Sequence, residues 1–261
     1  MPEGDTVRLT AALLDAALTG HALTRAELRV PRHATADLRG RTVVSVASRG
    51  KHLLIRVSGG LTIHVHLLME GRFHVGAAGA APRGHRVRLV LGTRDALAVG
   101  TSLGKLDLLP TAEESRVVGH LGPDLLDPSW GPELADEAVR NLRAAPERAI
   151  GEALLDQRVL AGIGNVYKSE ILFLRGVSPW TAVRDVPDLP AVVDLSHRLL
   201  DANKARHGHI TTGDRRPGRE HWVYGRGGRP CRRCGTPVRR ADQASDVGER
   251  VTFWCPACQP S

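Results

Sequence analysis

The sequence lacks any long hydrophobic run. No stretch of about eighteen apolar residues occurs, so a membrane-spanning helix is not expected. The opening residues, MPEGDTV, contain neither the basic segment nor the apolar core of a secretory signal peptide. We therefore expect a cytoplasmic protein that has no signal peptide and no membrane partner.

Cysteine is absent from most of the chain. All four cysteines lie in the last 31 residues, which indicates one local site and not a disulfide framework. No internal repeat is evident either. The 261 residues, 42% of them hydrophobic, are enough to build the cores of two globular domains.

Acidic residues are outnumbered by basic ones. The chain has 36 Lys and Arg against 28 Asp and Glu, a net charge of +8 and a pI of about 10.0. Eleven of the basic residues fall between positions 203 and 240, where only Asp214 and Glu220 are acidic. This concentration favours a polyanionic partner, and nucleic acid is the first candidate. Charge alone leaves open a basic protein without such a partner.

The N-terminal part combines one helix with many strands. Residues 6–18 have helical apolar spacing, with Thr6 as a candidate N-cap and Gly20 as a terminator. Residues 41–75 read as strands, with SGG as a turn. In LTIHVHL (61–67) apolar residues alternate with Thr and His, which predicts a half-buried strand. Up to about residue 110 we expect a mostly β domain.

Helical patterns dominate beyond residue 112. We predict helices in residues 131–145, 148–160, 165–176 and 190–206. Residues 207–230 are rich in Gly, Arg and polar side chains and have almost no apolar periodicity. A loop of that length is usually functional or mobile.

The cysteine spacing predicts a zinc site. Two C-x2-C motifs are separated by twenty residues, and they supply Cys231, Cys234, Cys255 and Cys258. Four thiolates form a closed tetrahedral site, so one structural Zn²⁺ per chain is expected. TPVRR and RVTFW, between the motifs, are strand-like and predict a hairpin that needs the metal to fold. Arg250 falls near the hairpin tip, where a phosphate or groove contact is expected.

Two further segments have candidate functional residues. In GIGN, two glycines precede a helix start whose free N–H groups can bind phosphate, and Asn165 could cap that helix or bind phosphate itself. An ordinary helix–turn–helix connection explains GIGN as well. Lys51 follows Gly50 and precedes an apolar strand. It is either a solvated lysine at a strand edge or a cleft residue that transfers protons or binds phosphate.

Pro2 stands where removal of Met1 would make it the first residue. Its secondary amine would have a pKa of about 7.7–8.0, so part of it would be neutral and nucleophilic at pH 7. Glu3 is the adjacent carboxyl and is suited to proton transfer. For an isolated segment, an N-terminus without function is the simpler interpretation.

These pieces occur in one order that resembles a known family. PEG at the N-terminus, RGK, HLGPDLL, LLDQRVLAGIGNVYKSEILF and a four-cysteine finger are similar to the formamidopyrimidine-DNA glycosylase / endonuclease VIII family. The resemblance covers nearly the whole chain, and MPEG is typical of the endonuclease VIII branch. It implies an α+β fold: a helix on a β-sandwich, then a helical domain with a helix–two-turn–helix and a zinc finger.

The resemblance also implies roles for the candidate catalytic residues. Pro2 would be the Schiff-base nucleophile and Glu3 the acid/base group. Lys51 would act by protonation and phosphate contact, and Arg250 would bind phosphate and support strand cleavage. The sixth position is commonly Glu in the family, whereas this chain has Thr6 after Asp5, so either Asp5 substitutes or that carboxylate is missing.

Four residues are expected to contact DNA on the same basis. Asn165 matches the backbone-binding asparagine of the helix–two-turn–helix. Leu68 and Met69 would fill the space left by a flipped base, with Met69 as the main wedge. His120 stands near the position of an arginine in endonuclease VIII, so that contact differs here.

The predicted organisation is a catalytic domain (1–112), a helical domain (113–206), a basic loop (207–230) and a zinc finger (231–258). The implied function is a monomeric DNA glycosylase and abasic-site lyase of base-excision repair. It would act on double-stranded DNA with an oxidised base, pyrimidines favoured, or an abasic site. A non-catalytic zinc-finger DNA-binding protein is the alternative, and an RNA-binding module would leave Pro2 and Glu3 unexplained.

Overall fold

The chain folds into two compact units, residues 1–120 and residues 121–261. The computed structural model describes residues 2–80, 83–244 and 248–260. Each unit has a separate apolar core. Within the described residues, no helix combines the length and the apolar character that crossing a membrane requires.

The first unit is a helix packed on a β-sandwich, as predicted. Its helices are α1 (Gly4–Leu18) and α2 (Ser115–Val118), and its strands are β1 (Arg25–Leu28), β2 (Val43–Arg49), β3 (His52–Val57), β4 (Leu61–His66), β5 (Arg72–Ala77), β6 (Val87–Gly92), β7 (Ala96–Thr101) and β8 (Lys105–Pro110). One antiparallel sheet has the order β2-β3-β4-β8, and the other has β1-β6-β7-β5. Side chains of α1 and both sheets share one core, which fixes the end of α1 against the sandwich.

Helix α1 begins two residues earlier than predicted. Thr6 is not the N-cap; Glu3 occupies that position, and no side chain caps the helix. The Asp5 carboxylate instead accepts the Thr6 backbone N–H at 2.7 Å, which satisfies one of the free donors of the first turn. At the other end, Gly20 follows the helix with φ +83°, as expected for a terminating glycine.

Strand β4 is buried on both faces, so the prediction of a half-buried strand was wrong. Thr62 and His64 are 0% and 2% exposed. Residues 111–120 lie on this second face: Thr111 and Glu114 both hydrogen-bond to Thr62. Glu114 also forms a two-bond ion pair with Arg56. The polar side chains of β4 are therefore partnered inside the unit and not solvated.

The second unit is helical and ends in a hairpin. It contains α3 (Pro132–Arg143), α4 (Ile150–Ala153), α5 (Asn165–Arg175), α6 (Leu189–Asn203), β9 (Arg239–Gln243) and β10 (Arg250–Trp254). Only four residues of the helix predicted for 148–160 are α-helical. The chain turns at Asp156, whose carboxylate binds the backbone N–H of Arg158 and the guanidinium groups of Arg148 and Arg158.

The hairpin pairs β9 with β10 in antiparallel register. Its second strand is RVTFW as predicted, but its first strand is RRADQ and begins three residues later than TPVRR. Arg250 pairs with Gln243, the last pair before the connecting loop, so it lies near the hairpin tip as expected.

Candidate active site and nucleic-acid interface

Two buried carboxylates follow Pro2 closely in the sequence, at the N-terminus of α1. Pro2 is half-buried and directly precedes Glu3, which is 0% exposed. Asp5, in the first turn, is 1% exposed. A buried carboxylate is therefore present at this helix start although position 6 is Thr. The removal of Met1 concerns a residue outside the described part of the chain.

Lys51 lies at the tip of the β2–β3 hairpin. Arg49 pairs with His52, so Gly50 and Lys51 form a two-residue connection between the strands. Gly50 has φ +55°, a conformation that such tight connections require and that glycine adopts without strain. The turn therefore fixes the backbone of Lys51, whose side chain is half-buried.

Four imidazoles lie together near this hairpin; we call His52, His64, His66 and His120 the histidine cluster. Nδ1 of His52 lies 2.8 Å from Nε2 of His64, a hydrogen bond between two buried rings. The ring of His52 also contacts His66 edge-on at 4.8 Å, because these residues are directly opposed on β3 and β4. His120 is exposed, and its ring centroid is 6.2 Å from that of His52.

Three members of the cluster, His52, His64 and His66, have lowered pKa values. Burial lowers the pKa of His52 to about 3, assisted by neighbouring imidazoles and Lys105. Burial, followed by the charge of Lys51, lowers the pKa of His66 to about 4. Burial also lowers the pKa of His64, although the Asp107 carboxylate acts in the opposite direction. Burial therefore favours the uncharged form of these three imidazoles.

The turn after β4 presents the two predicted wedge residues. Leu68 and Met69 are 47% and 57% exposed. Leu68 has φ +53°, a left-handed conformation that is unusual for a non-glycine residue. Gly71 closes the turn by donating its N–H to the Leu67 carbonyl at 3.0 Å.

In the second unit, a glycine turn leads into α5. Gly162 has φ +115°, and its N–H donates to the side-chain oxygen Oε1 of Gln157 at 3.0 Å. The Nε2 amide of the same Gln157 donates to the carbonyl of Ile163 at 3.0 Å. Asn165 does not cap α5, since Gly164 is the N-cap and no side-chain bond is made there. Its amide instead donates to the carbonyl of Val251 on β10 at 2.7 Å, and Asn165 is 6% exposed.

Two charged side chains of α5 are completely buried. Lys168 donates from Nζ to Thr252 Oγ1 on β10 at 2.5 Å. Glu170 accepts three consecutive backbone N–H groups, from Trp222 at 2.7 Å and from Val223 and Tyr224 at 2.8 Å each. It also accepts the hydroxyl of Thr211. One helix thus contacts both the hairpin and the 207–230 segment.

The 207–230 segment has further contacts at its ends. Asn203, at the end of α6, exchanges two hydrogen bonds with the backbone of Ile210. Arg232 donates to the carbonyls of Gly218 and His221 at 2.6 and 3.0 Å. Between these contacts, Asp214 pairs with Arg216, and Arg215 and Arg219 are exposed. Contacts at both ends therefore hold the backbone of this segment, and arginine side chains are exposed between them.

The four cysteine sulfurs converge on one point. All four lie within 4.8 Å of one another, with Cys231–Cys258 and Cys234–Cys255 at 4.0 and 3.5 Å. Metal–sulfur bonds near 2.3 Å in a tetrahedron place sulfurs about 3.8 Å apart, so the four residues fit a metal ion. Disulfide bonds would need sulfurs about 2.05 Å apart, and all four cysteines are free.

Comparison with known proteins identifies the family. The formamidopyrimidine-DNA glycosylase N-terminal domain profile matches residues 1–122, and the formamidopyrimidine-DNA glycosylase H2TH domain profile matches residues 121–194. The chain belongs to the formamidopyrimidine-DNA glycosylase family. It is 58% identical to a probable endonuclease 8 of Streptomyces coelicolor, over 99% of this chain and 94% of that protein. It is 51% identical to the Mycolicibacterium smegmatis DNA-(apurinic or apyrimidinic site) lyase Nei2, over 99% of both.

Solved structures of the family have the same fold. The Lactococcus lactis Fpg in complex with abasic-site DNA superposes with a TM-score of 0.84 over 100% of both chains, at 23% identity. This agreement confirms the predicted helix, β-sandwich and helix–two-turn–helix.

Some buried polar residues were missed by sequence reasoning. The strand pattern assigned His64 to solvent, and neither Glu170 nor Lys168 was singled out. One signal was available in the first unit: pairing β3 and β4 around the SGG turn places His52 opposite His66. For Glu170 no comparable signal existed, since its three backbone partners lie more than fifty residues away in the sequence.

The lowered pKa values of His52 and His66 predict that the folded protein is less stable in acid. Because the folded pKa values are lowered, the unfolded chain binds protons first as the pH falls below about 6.5. The contribution of these histidines to the free energy of unfolding is therefore complete above that pH. It decreases as the pH falls toward 4, by up to about 1.4 kcal/mol per pH unit for each histidine. Chemical denaturation at pH 5, 6 and 7 measures the slope.

The variant His52→Asn should show a smaller slope than wild type, because one proton fewer is taken up on unfolding. His85→Gln is the matched control, since His85 is exposed on the same unit. Equal slopes for wild type and His52→Asn would contradict a neutral buried cluster.

Proposed function

We propose that this protein is a bifunctional DNA glycosylase and abasic-site lyase of base-excision repair, acting on oxidised bases with pyrimidines favoured. The observation that carries the proposal is Pro2 directly before the buried Glu3 at the start of α1, in a chain of this family. The similarity to proteins named endonuclease 8 and abasic-site lyase supports the same activity.

Pro2 supplies the nucleophile once Met1 is removed. Its nitrogen attacks C1′ of the damaged nucleotide as the bond to the base breaks, and the departing base takes up a proton. The proton that the Pro2 nitrogen loses passes to Glu3, and Glu3 donates it to O4′ as the sugar ring opens, which leaves an iminium between Pro2 and C1′. Loss of a C2′ proton then eliminates the 3′ phosphate, and a second elimination releases the 5′ phosphate.

Two basic residues act on the phosphates. Lys51 is held at the tip of a tight hairpin, so its ammonium group can transfer a proton or contact phosphate without reordering the backbone. Arg250 is half-buried near the tip of the finger hairpin, and its guanidinium forms no ion pair within the described residues. Such a group is available for two-point phosphate binding.

The remaining candidates contact the duplex. Leu68 and Met69 enter the space from which the damaged base is extruded, with Met69 as the main wedge. Asn165 binds the DNA backbone from the second unit. His120, the exposed member of the histidine cluster, contacts the duplex from the first unit. The partner is double-stranded DNA with an oxidised base or an abasic site. The protein acts as a monomer in the cytoplasm, associated with the nucleoid.

The four-cysteine site holds one structural Zn²⁺. Its ligands are Cys231, Cys234, Cys255 and Cys258, whose sulfur spacing fits a tetrahedral ion. A site with four protein ligands leaves no open position, so the metal stabilises the hairpin and does not take part in the reaction. The hairpin then keeps Arg250 in a fixed position relative to α5.

Borohydride trapping on a duplex with an abasic site tests the catalytic proposal. Borohydride reduces the iminium to a stable amine, so wild-type protein should form a covalent adduct with DNA. The adduct should be lost in Pro2→Gly and in the same chain with Met1 retained, because the secondary amine is absent or blocked.

Absence of an adduct with every abasic or oxidised substrate would refute this activity. Duplex binding without an adduct or base release would instead favour a non-catalytic zinc-finger DNA-binding protein. Mass spectrometry of the purified chain verifies beforehand that Met1 has been removed.

Zinc removal tests the structural role of the finger. Cys255→Ser removes one ligand, so the protein should lose its one equivalent of zinc and bind duplex DNA more weakly. Metal content and DNA affinity measured on the same sample check this, with Ser178→Ala, a buried substitution in the same unit, as the control. Wild-type affinity in a zinc-free Cys255→Ser protein would contradict it.

A further inference from the structure

The turn that carries Leu68 and Met69 has a strained backbone. Leu68 adopts φ +53°, a left-handed conformation that is unfavourable for a non-glycine residue. The chain stays in this conformation only if other contacts compensate. Gly71 contributes by its N–H bond to Leu67 O, and a Cβ at position 71 would lie 2.3 Å from that oxygen.

His66 makes the contact that bears directly on Leu68. Its Nδ1 accepts the backbone N–H of Leu68 at 3.0 Å. A ring nitrogen that accepts cannot also carry a proton, so the hydrogen of His66 resides on Nε2 and the imidazole is neutral. The carbonyl of His66 also accepts the N–H of Gly104 at 3.0 Å, so the connection between β7 and β8 holds the backbone of His66 as well.

The groups around His66 favour this neutral form. Lys51 faces it from the β2–β3 turn, Lys105 is its direct partner on β8, and His52 is its partner on β3. His64 lies two residues earlier on β4, and the Asp107 carboxylate lies 3.8 Å from Nδ1 of His64. Burial and these basic neighbours lower the pKa of His66 to about 4, so Nδ1 remains an acceptor at physiological pH.

We propose that His66 is a positioning residue whose Nδ1 holds Leu68 in its left-handed conformation and so presents the Leu68–Met69 turn to the DNA duplex. The proposal rests on the proposed function, because the turn matters only if a base is extruded. A turn that is already ordered enters the duplex without a further loss of backbone entropy. The Leu68 side chain also packs against Gly104, where an added Cβ would lie 2.3 Å from it. This contact supports the turn as well.

Two substitutions separate the two ring nitrogens of His66. The amide oxygen of His66→Asn can occupy the position of Nδ1, whereas the amide of His66→Gln reaches the position of Nε2 and leaves Nδ1 unreplaced. We expect Asn to rescue excision of an oxidised pyrimidine from duplex DNA to within about threefold of wild type. Gln should reduce it about tenfold, as one lost hydrogen bond implies.

A second measurement reports on the hydrogen bond itself. Amide hydrogen exchange at Leu68 should remain slow in wild type and His66→Asn and become fast in His66→Gln. His74→Asn and His74→Gln are the matched controls, since His74 is exposed on β5 and should affect neither rate nor exchange. Leu68→Gly removes the strain, so the added effect of His66→Gln should shrink in that background.

The outcomes decide the inference independently of the proposed function. If Gln retains excision and Asn loses it, His66 acts through Nε2 and the proposal is overturned. Equal losses in both variants, or unchanged Leu68 exchange in His66→Gln, also overturn it. If wild type shows no excision and no adduct, the proposed function fails, while Leu68 exchange still tests the hydrogen bond.

Discussion

The position of the 207–230 segment on the second unit depends on the buried carboxylate of Glu170. It accepts three successive backbone N–H groups, from Trp222, Val223 and Tyr224. Each of these donors would be costly to bury without a partner, by about 1–3 kcal/mol. The carboxylate belongs to α5, whose apolar side is part of the unit's core. The position of the 207–230 segment is therefore set by a helix and not by the segment's own composition.

The same principle recurs elsewhere in the molecule. On α5, Lys168 and Asn165 bind the finger hairpin that carries Arg250. In the first unit, His66 binds the turn that carries Leu68 and Met69. Apolar cores build the sandwich and the helical scaffold, whereas buried polar side chains fix the segments that bear the proposed functional residues. A directional bond specifies one backbone conformation, which apolar contact alone does not do.

The sequence predicted the features that depend on local patterns. Helices α3, α5 and α6 follow from apolar periodicity, and the converging sulfurs follow from the spacing of Cys231, Cys234, Cys255 and Cys258. The start of α1 was misplaced because Asp5, and not Thr6, binds a free N–H of the first turn. His64 was assigned to solvent because alternation cannot show that residues 111–120 cover the second face of β4. The role of Glu170 required knowledge of which distant backbone folds over it.

Hydrogen exchange of Glu170→Gln tests the central claim most directly. Gln replaces one acceptor oxygen with an NH2 group that faces backbone donors, while changing neither the size nor the apolar contacts of the side chain. The amides of Trp222, Val223 and Tyr224 should lose protection, whereas the exposed control Glu133→Gln should leave them unchanged. Unaltered protection at all three amides in folded Glu170→Gln would contradict the claim that this carboxylate holds the segment.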